Sequence, residues 1–253
     1  MVQIDLNCDM GESFGMYNLG HDEEAMPYVT SINVACGFHA SDPMNMFKTV
    51  KLAQKYGVAV GAHPSFPDLV GFGRREMVAT AEEIKADVIY QIGALWGFCL
   101  AEGLKMQHVK AHGAMYNMAV KDMSVATALA EAIKEVDPGL IMLCLANSAM
   151  VTAAQQVGVK YVEESFADRA YTAQGTLVSR KLAGSVIHDV DLVADRVLGM
   201  VKNQQVTSID GVQVSLKTQT VCVHGDTPGA LGMIKKIREK LAAEGVSVKA
   251  FGA

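Results

Sequence analysis

No run of about twenty uninterrupted apolar residues occurs in this chain, so the sequence offers no membrane span. No CxxC pair occurs, and the five cysteines, Cys8, Cys36, Cys99, Cys144 and Cys222, are odd in number. That argues against a disulfide framework or a zinc ribbon, and for reduced thiols in a cytoplasmic protein. There is no Gly-x4-Gly-Lys-Ser/Thr run, hence no P-loop to cradle a nucleotide. Residues 1–9 hold no basic segment followed by an apolar one, so no signal peptide is read there. Charge is sparse, at 19% of residues, and its balance of −5 disfavours a nucleic-acid partner, because phosphate binding wants a basic face. Repeats, low-complexity tracts and linkers are also missing, so residues 1–253 read as a single domain.

What is present is a chain of 253 residues, half of them hydrophobic. That length suits one β/α barrel of about 250 residues and buries enough surface to need no covalent staples. Short apolar runs at 2–7, 31–36, 58–63, 108–112, 140–146, 159–167 and 220–225 read as strands. Helices alternate with them. Asp42-Pro43 opens one that stops near Gly57, and the Thr80/Glu83 capping box opens a long one that stops near Gly103. Helical segments are also expected at 114–136, up to Val157, at 189–203 and from Pro228 to Ala243, and a hairpin turns at Asp210-Gly211. Seven strands alternating with helices predict a parallel sheet, either open or closed.

The polar residues choose between the two. Asp9 and Glu12 follow the first strand, His39 and Asp42 the second, and His63 ends the third. Lys110 and His112 end the fourth, Glu163 and Glu164 end the sixth with Asp168 and Arg169 next, and the last ends in His224 and Asp226. Four of the seven histidines therefore sit at carboxyl ends of strands. In a barrel those ends converge on one face, where active sites lie; an open sheet would spread them out. Asp42 reads equally well as a helix cap. Lys110 and His112, two apart, share a face, as do Asp5, Asn7 and Asp9. A lysine in the lumen needs a carboxylate partner, and Asp5 or Asp9 would serve.

Two chemistries fit these residues. In one, Asp9, His39, His63 and His112 hold a divalent metal whose bound water attacks an amide. In the other, a carboxylate or histidine is the base, another the acid, and Lys110 or Arg169 stabilises the oxyanion. Spacing alone does not separate them. Cys8, Cys36 and Cys222 near strand ends read as small buried residues more readily than as nucleophiles. The glycine-bearing loop at 64–76, beside His63, has the composition of a lid.

The blocks DLNCDMGESFG, INVACGFHASDP, GAHPSFPD, GFGRREM, VKAHGAMYN, EESFADRAY and VHGD, spread from Asp5 to Asp226, resemble the LamB/YcsF family. The family pattern usually has Gly where this chain has Ser41. The resemblance implies a distorted seven-stranded, TIM-like β/α barrel similar to the glycoside hydrolase/deacetylase superfamily. It also implies an ATP-dependent 5-oxoprolinase activity that opens the lactam of 5-oxo-L-proline to L-glutamate. ATP, with Mg²⁺, would be a co-substrate, and subunits B and C would be partners; the missing P-loop is consistent with ATP acting on those partners. The metal of the deacetylases is not carried over, because their local ligand motif is missing here. On this reading the site is Asp9, Glu12, His39, His63, Lys110, His112, Asp168, Arg169 and His224, with Asp9 or His63 as base, His112 or His224 as acid, and Lys110 and Arg169 holding anionic groups. A metal-dependent deacetylase of a carbohydrate or amide, and a non-catalytic lactam- or carbohydrate-binding subunit, remain the alternatives.

Overall fold

Asp5, Asn7 and Asp9 alternate along the first strand with Ile4, Leu6, Cys8 and Met10, and both sets are buried. A strand buried on two faces belongs to a sheet covered on both sides, either by helices on each face or by helices outside and its own closure inside. The computed structural model, which describes residues 2–225 and 229–252, shows that closure. Its strands are β1 (Gln3–Met10), β2 (Ser31–Ala35), β3 (Ala59–His63), β4 (Met106–Val109), β5 (Ile141–Leu145), β6 (Lys160–Phe166), β7 (Gln205–Thr207), β8 (Gln213–Ser215), β9 (Thr220–Val223) and β10 (Ser247–Val248). Seven of them, β1 to β6 and then β9, pair in parallel, and β9 returns to β1 with Asp5 beside Thr220 and Cys8 beside Val223. The expected seven-stranded barrel is therefore the observed one. The hairpin β7–β8 lies outside the barrel sheet, turning at Gly211 (φ 79°). Two-residue β10 pairs with the start of β1; it was not expected, being too short to leave a pattern.

The outer helices begin and end where local chemistry stops the chain. Asp42 accepts from the amides of Met44 and Asn45 at 2.9 and 3.0 Å, Pro43 follows, and Gly57 closes the helix Pro43–Tyr56 in the left-handed region. The cap reading of Asp42 is thus the correct one. The Thr80/Glu83 capping box forms and opens Ala81–Ala101. That helix is long and apolar enough to cross a membrane by composition, but Ile84, Val88, Ile92, Leu95 and Cys99 are buried in the core. Each such side chain contributes roughly 1.5–3 kcal/mol on burial. The expected helix at 114–136 is broken in two, Gly113–Ala119 and Met123–Val136, because Asp122 caps the second through Ser124 N at 2.8 Å. Short helical turns at Asp22–Ala25 and Met26–Tyr28 escaped the sequence reading, lacking a periodic pattern. Pro228 and Asp226 lie outside the described residues; the last helix is seen from Ala230 to Ala243.

β4 ends at Val109, three residues short of expectation, but the next amides keep the ladder direction: Lys110 N donates to Ala62 O and His112 N to Pro64 O. Lys110 and His112 are thereby held on the same inner side, as their spacing predicted. Gly61 on β3 makes the neighbouring space, since a Cβ there would overlap the His108 ring.

Candidate functional site

The barrel lumen is polar from bottom to mouth. At the bottom, Thr30 Oγ1 (2.7 Å), Ser31 Oγ (2.8 and 3.0 Å) and Thr220 Oγ1 all donate to the Asp5 carboxylate. Burial pushes that carboxyl up to about 6 even though these hydroxyls pull it down. One layer higher, Asn7 Nδ2 donates to Glu164 Oε1 (3.0 Å) and Thr220 Oγ1 (2.7 Å). Asn33 Nδ2 donates to Asn7 Oδ1 and Asp9 Oδ1, both at 2.8 Å, while its Oδ1 accepts from His108 Nε2 at 2.9 Å. Burial, with Lys110 adding to it, lowers His108 to about 3, so this ring is neutral.

Lys110 stands above this layer. Its ammonium lies 2.9 Å from Asp9 Oδ1, 3.2 Å from Glu164 Oε1 and 2.9 Å from Cys222 Sγ, with only 2% of the residue exposed. Asp9 is the partner expected from the sequence, and Glu164 is a second one; Asp5 is not. Burial opposes the charge on Lys110, but Asp9, Cys222 and Glu164 outweigh it and hold the amine well above its ordinary range. Burial likewise opposes ionisation of Asp9, and His63 and Lys110 overcome it. Tyr116 donates to Glu164 Oε2 at 3.0 Å and completes that carboxylate. The thiols of Cys8 and Cys222 are pushed well up by burial, and that of Cys36 to about 12, so none is poised as a thiolate nucleophile.

At the mouth three histidines meet. His63 Nδ1 donates to Lys110 O at 2.7 Å, and His112 Nε2 donates to Phe72 O at 2.9 Å. Their remaining nitrogens face each other at 3.0 Å. His39 stacks on His112, centroids 3.9 Å apart and planes 6° apart, and neither of its ring nitrogens has a hydrogen-bond partner among the described residues although the residue is fully buried. Glu12 Oε1 lies 3.9 Å from His39 Nε2 and 3.8 Å from His112 Nδ1, and Asp9 Oδ2 lies 3.4 Å from His63 Nε2. Burial lowers His39 and His112 well below the usual range, and the neighbouring histidines add to it. The close assembly depends on Gly73 (φ 63°), where a Cβ would sit 2.8 Å from His39 Cβ. Glu12, His39, His63 and His112 form a cluster able to hold a metal ion. Asp9, expected in that set, groups instead with Cys222 and His224, because Lys110 and Asn33 draw its carboxylate inward.

Across the mouth Asp168 accepts from His224 Nδ1 at 2.8 Å, and the imidazole stacks on Phe166. Nδ1 is thus the nitrogen that Asp168 engages, which fixes the ring's orientation. Arg169 is buried, donating to Ser185 O at 3.2 Å and Val178 O at 2.5 Å, and burial together with Arg180 lowers it to about 10. Asp9, His63, Lys110, His112, Arg169 and His224 line a cavity of about 800 Å³, while Glu12, His39 and Asp168 stand behind that wall. The sequence reading thus selected residues that the fold does bring together.

It missed the cations of the rim, Arg74, Arg75, Lys121, Arg180 and Lys181, and the lumen residues Asn33 and His108. Alternation of His108, Lys110 and His112 along one segment was a usable signal for the last. The rim cations are loop residues without periodicity. The loop at 64–76 is a wall more than a lid: Arg75 Nε binds Asp68 at 3.0 and 3.1 Å, Gly73 N donates to Asp68 O, and Phe72 O holds His112.

Residues 4–253, the whole of this site among them, match the LamB/YcsF family. The chain belongs to that family. It is 56% identical to the 5-oxoprolinase A subunit of Alkaliphilus metalliredigens, over 98% of this chain and 97% of that protein. It is 54% identical to the 5-oxoprolinase A subunit of Clostridium beijerinckii, again over 98% and 97%. Among solved structures it is similar to a lactam utilization protein from Thermus thermophilus, at 47% identity and TM-score 0.94, covering 98% of this chain and 100% of that one. The catalytic domain of a peptidoglycan N-acetylglucosamine deacetylase from Eubacterium rectale shares the fold alone, at TM-score 0.50 and 12% identity over 99% and 89%. Ser41 has φ 75°, the left-handed region that favours glycine.

Proposed function

We propose that this chain is the A subunit of an ATP-dependent 5-oxoprolinase, acting as one barrel domain with subunits B and C in the cytoplasm. The observation that carries the reading is identity of 54–56%, from end to end, with relatives bearing that name. The site's chemistry supports it. A five-membered lactam resists water, and phosphorylation of its carbonyl oxygen by ATP, used with Mg²⁺ on the partner subunits, makes the carbon electrophilic. A rim carrying Arg74, Arg75, Arg169, Arg180 and Lys181 suits a substrate bearing both carboxylate and phosphate.

Within the cavity His224, aligned by Asp168, takes a proton from the attacking water and returns it to the departing nitrogen. Asp9 positions the water. Lys110 stabilises the oxygen on which charge develops. The C–O bond forms, the second proton of that water also passes to the nitrogen as the C–N bond breaks, and an amine and an acyl phosphate result; hydrolysis of the acyl phosphate by a second water yields glutamate and phosphate. The test is glutamate release from 5-oxoproline and ATP by this chain alone, by B and C alone, and by all three. Release only in the complete mixture is expected, with a loss of about 10²–10⁴-fold for His224→Asn. Release by B and C alone would give this chain a binding role only.

A metal-dependent amide or carbohydrate deacetylase is the second reading, favoured by the cluster of three histidines and Glu12. No glutamate from the complete mixture, together with chelator-sensitive acetate release from an N-acetyl sugar, would establish it instead.

A further inference from the structure

We propose that His63, His112, Glu12 and His39 bind one divalent first-row transition-metal ion, of the zinc class, at the wall of the cavity. The proposal stands on hydrogen-bond accounting, whichever amide the site cuts. A backbone carbonyl only accepts, so the nitrogens that meet Lys110 O and Phe72 O are N–H groups: Nδ1 of His63 and Nε2 of His112. In the neutral rings Nε2 of His63 and Nδ1 of His112 are then lone pairs, pointed at each other across 3.0 Å. Two lone pairs at that distance repel unless a proton sits on one of them or a cation lies beside both. Histidines that ligate metals characteristically donate their other N–H to a carbonyl or carboxylate, which fixes the tautomer.

The other two donors answer the same description. Glu12 supplies a buried carboxylate oxygen 3.8 Å from His112 Nδ1 and 3.9 Å from His39 Nε2. Bonds of about 2.0–2.1 Å in a tetrahedral site separate donors by about 3.4 Å, and the observed separations of 3.0, 3.8 and 3.9 Å bracket that value. His39 is an orphan: fully buried, with both ring nitrogens unpartnered. A buried polar group without a partner costs about 1–3 kcal/mol, which an ion would offset. Stacked parallel to His112, it keeps a ring nitrogen within 4.8 Å of the donor atoms of Glu12, His63 and His112, and no hydrogen bond among the described residues holds it elsewhere. Imidazole-rich donors with one carboxylate favour zinc-like ions over Mg²⁺ or Ca²⁺, which take oxygen. Bound there, such an ion supplies Lewis acidity beside the cavity.

The experiment uses this full chain alone, without partners or ATP, so its outcome is independent of the oxoprolinase assay. Metal-stripped protein is titrated with Co²⁺ and Zn²⁺, following the visible d–d absorption of Co²⁺ and the thermal midpoint. One ion per chain is expected, with a rise in midpoint. Glu12→Gln, His63→Gln and His112→Gln each weaken Co²⁺ binding by at least about 100-fold, relative to the 10–100-fold that loss of a mere supporting partner costs. His224→Asn and the exposed His188→Ala bind as wild type, which separates this site from the neighbouring Asp9, Cys222 and His224 group. X-ray absorption of the zinc-loaded wild type, which needs no variant to fold, shows imidazole and oxygen scattering without sulfur. Folded wild type that binds neither ion, binding untouched by all three Gln variants, loss of binding in His224→Asn, or sulfur from Cys222 around the zinc would each overturn the proposal.

Discussion

The bottom and the mouth of the lumen are built from the same strands and the same polar residue types, yet they differ in how far those residues satisfy one another. At the bottom, Asp5, Asn7, Asn33 and Glu164 find hydroxyl, amide and phenol partners within the barrel. At the mouth, His39 has no hydrogen-bond partner among the described residues, and His63 Nε2 and His112 Nδ1 meet only each other's ring nitrogen at 3.0 Å and carboxylates at 3.4 to 3.8 Å. Burial is equally complete in the two regions, so the difference is one of hydrogen-bond supply. A saturated network rigidifies a fold, whereas buried groups left unsatisfied mark the place where something else binds. Lys110 sits at the boundary, tied to the network through Asp9 and Glu164 and exposed to the cavity through the same ammonium.

That contrast can be broken most forcefully at the boundary. Lys110→Met leaves Asp9 and Glu164 facing each other without a cation, and breaking a buried pair costs about 3–5 kcal/mol; the urea midpoint should drop accordingly, along with loss of glutamate formation. A fall of under about 1 kcal/mol would show that the network does not depend on the charge. The next effect is carried by Asp5. Its folded value of about 6 lies above the unfolded value of about 3.9, so the native state holds the proton more tightly. Stability should therefore fall by about 3 kcal/mol as pH rises from about 4 through 6. Asp22, also raised by burial to about 6, acts with the same sign. Asp5→Asn should remove its share of that slope, measured by urea unfolding across the same window; an unchanged slope would place the proton elsewhere. His39→Gln, in contrast, should alter metal-free stability by less than about 1 kcal/mol, because no hydrogen bond is lost. A large destabilisation would mean the mouth is as structural as the bottom. Smallest is Ser41→Gly, which relieves a left-handed serine (φ 75°) and should raise the thermal midpoint by roughly 1–3 °C.

Much of the fold and the site was legible in residue order, for identifiable reasons. Caps are local, so Asp42, Thr80 with Glu83, and Gly57 announced their helices. Strand alternation is local too, which placed Lys110 beside His112 and Asp5 beside Asn7 and Asp9. The break at Asp122 was hidden because the sequence on both sides is helical in character, and only the cap geometry splits it. The choice of Glu12 over Asp9 as the fourth member of the histidine cluster was not legible either. Three residues apart in sequence, the two carboxylates point into different neighbourhoods because Lys110, more than a hundred residues away, claims one of them.

Residue order alone was enough for the alternation of strands and helices, the gathering of acids, bases and cations at strand ends and, through the motif blocks, the LamB/YcsF family. These are properties of period and local capping, which need no partner across the chain. Which of those polar groups saturate each other, and which remain open, was settled by the closed barrel. That outcome turns on distances of about 3 Å between residues up to 215 positions apart, set by closure of the sheet and by the glycines that let β3, β4 and the 64–76 loop approach one another.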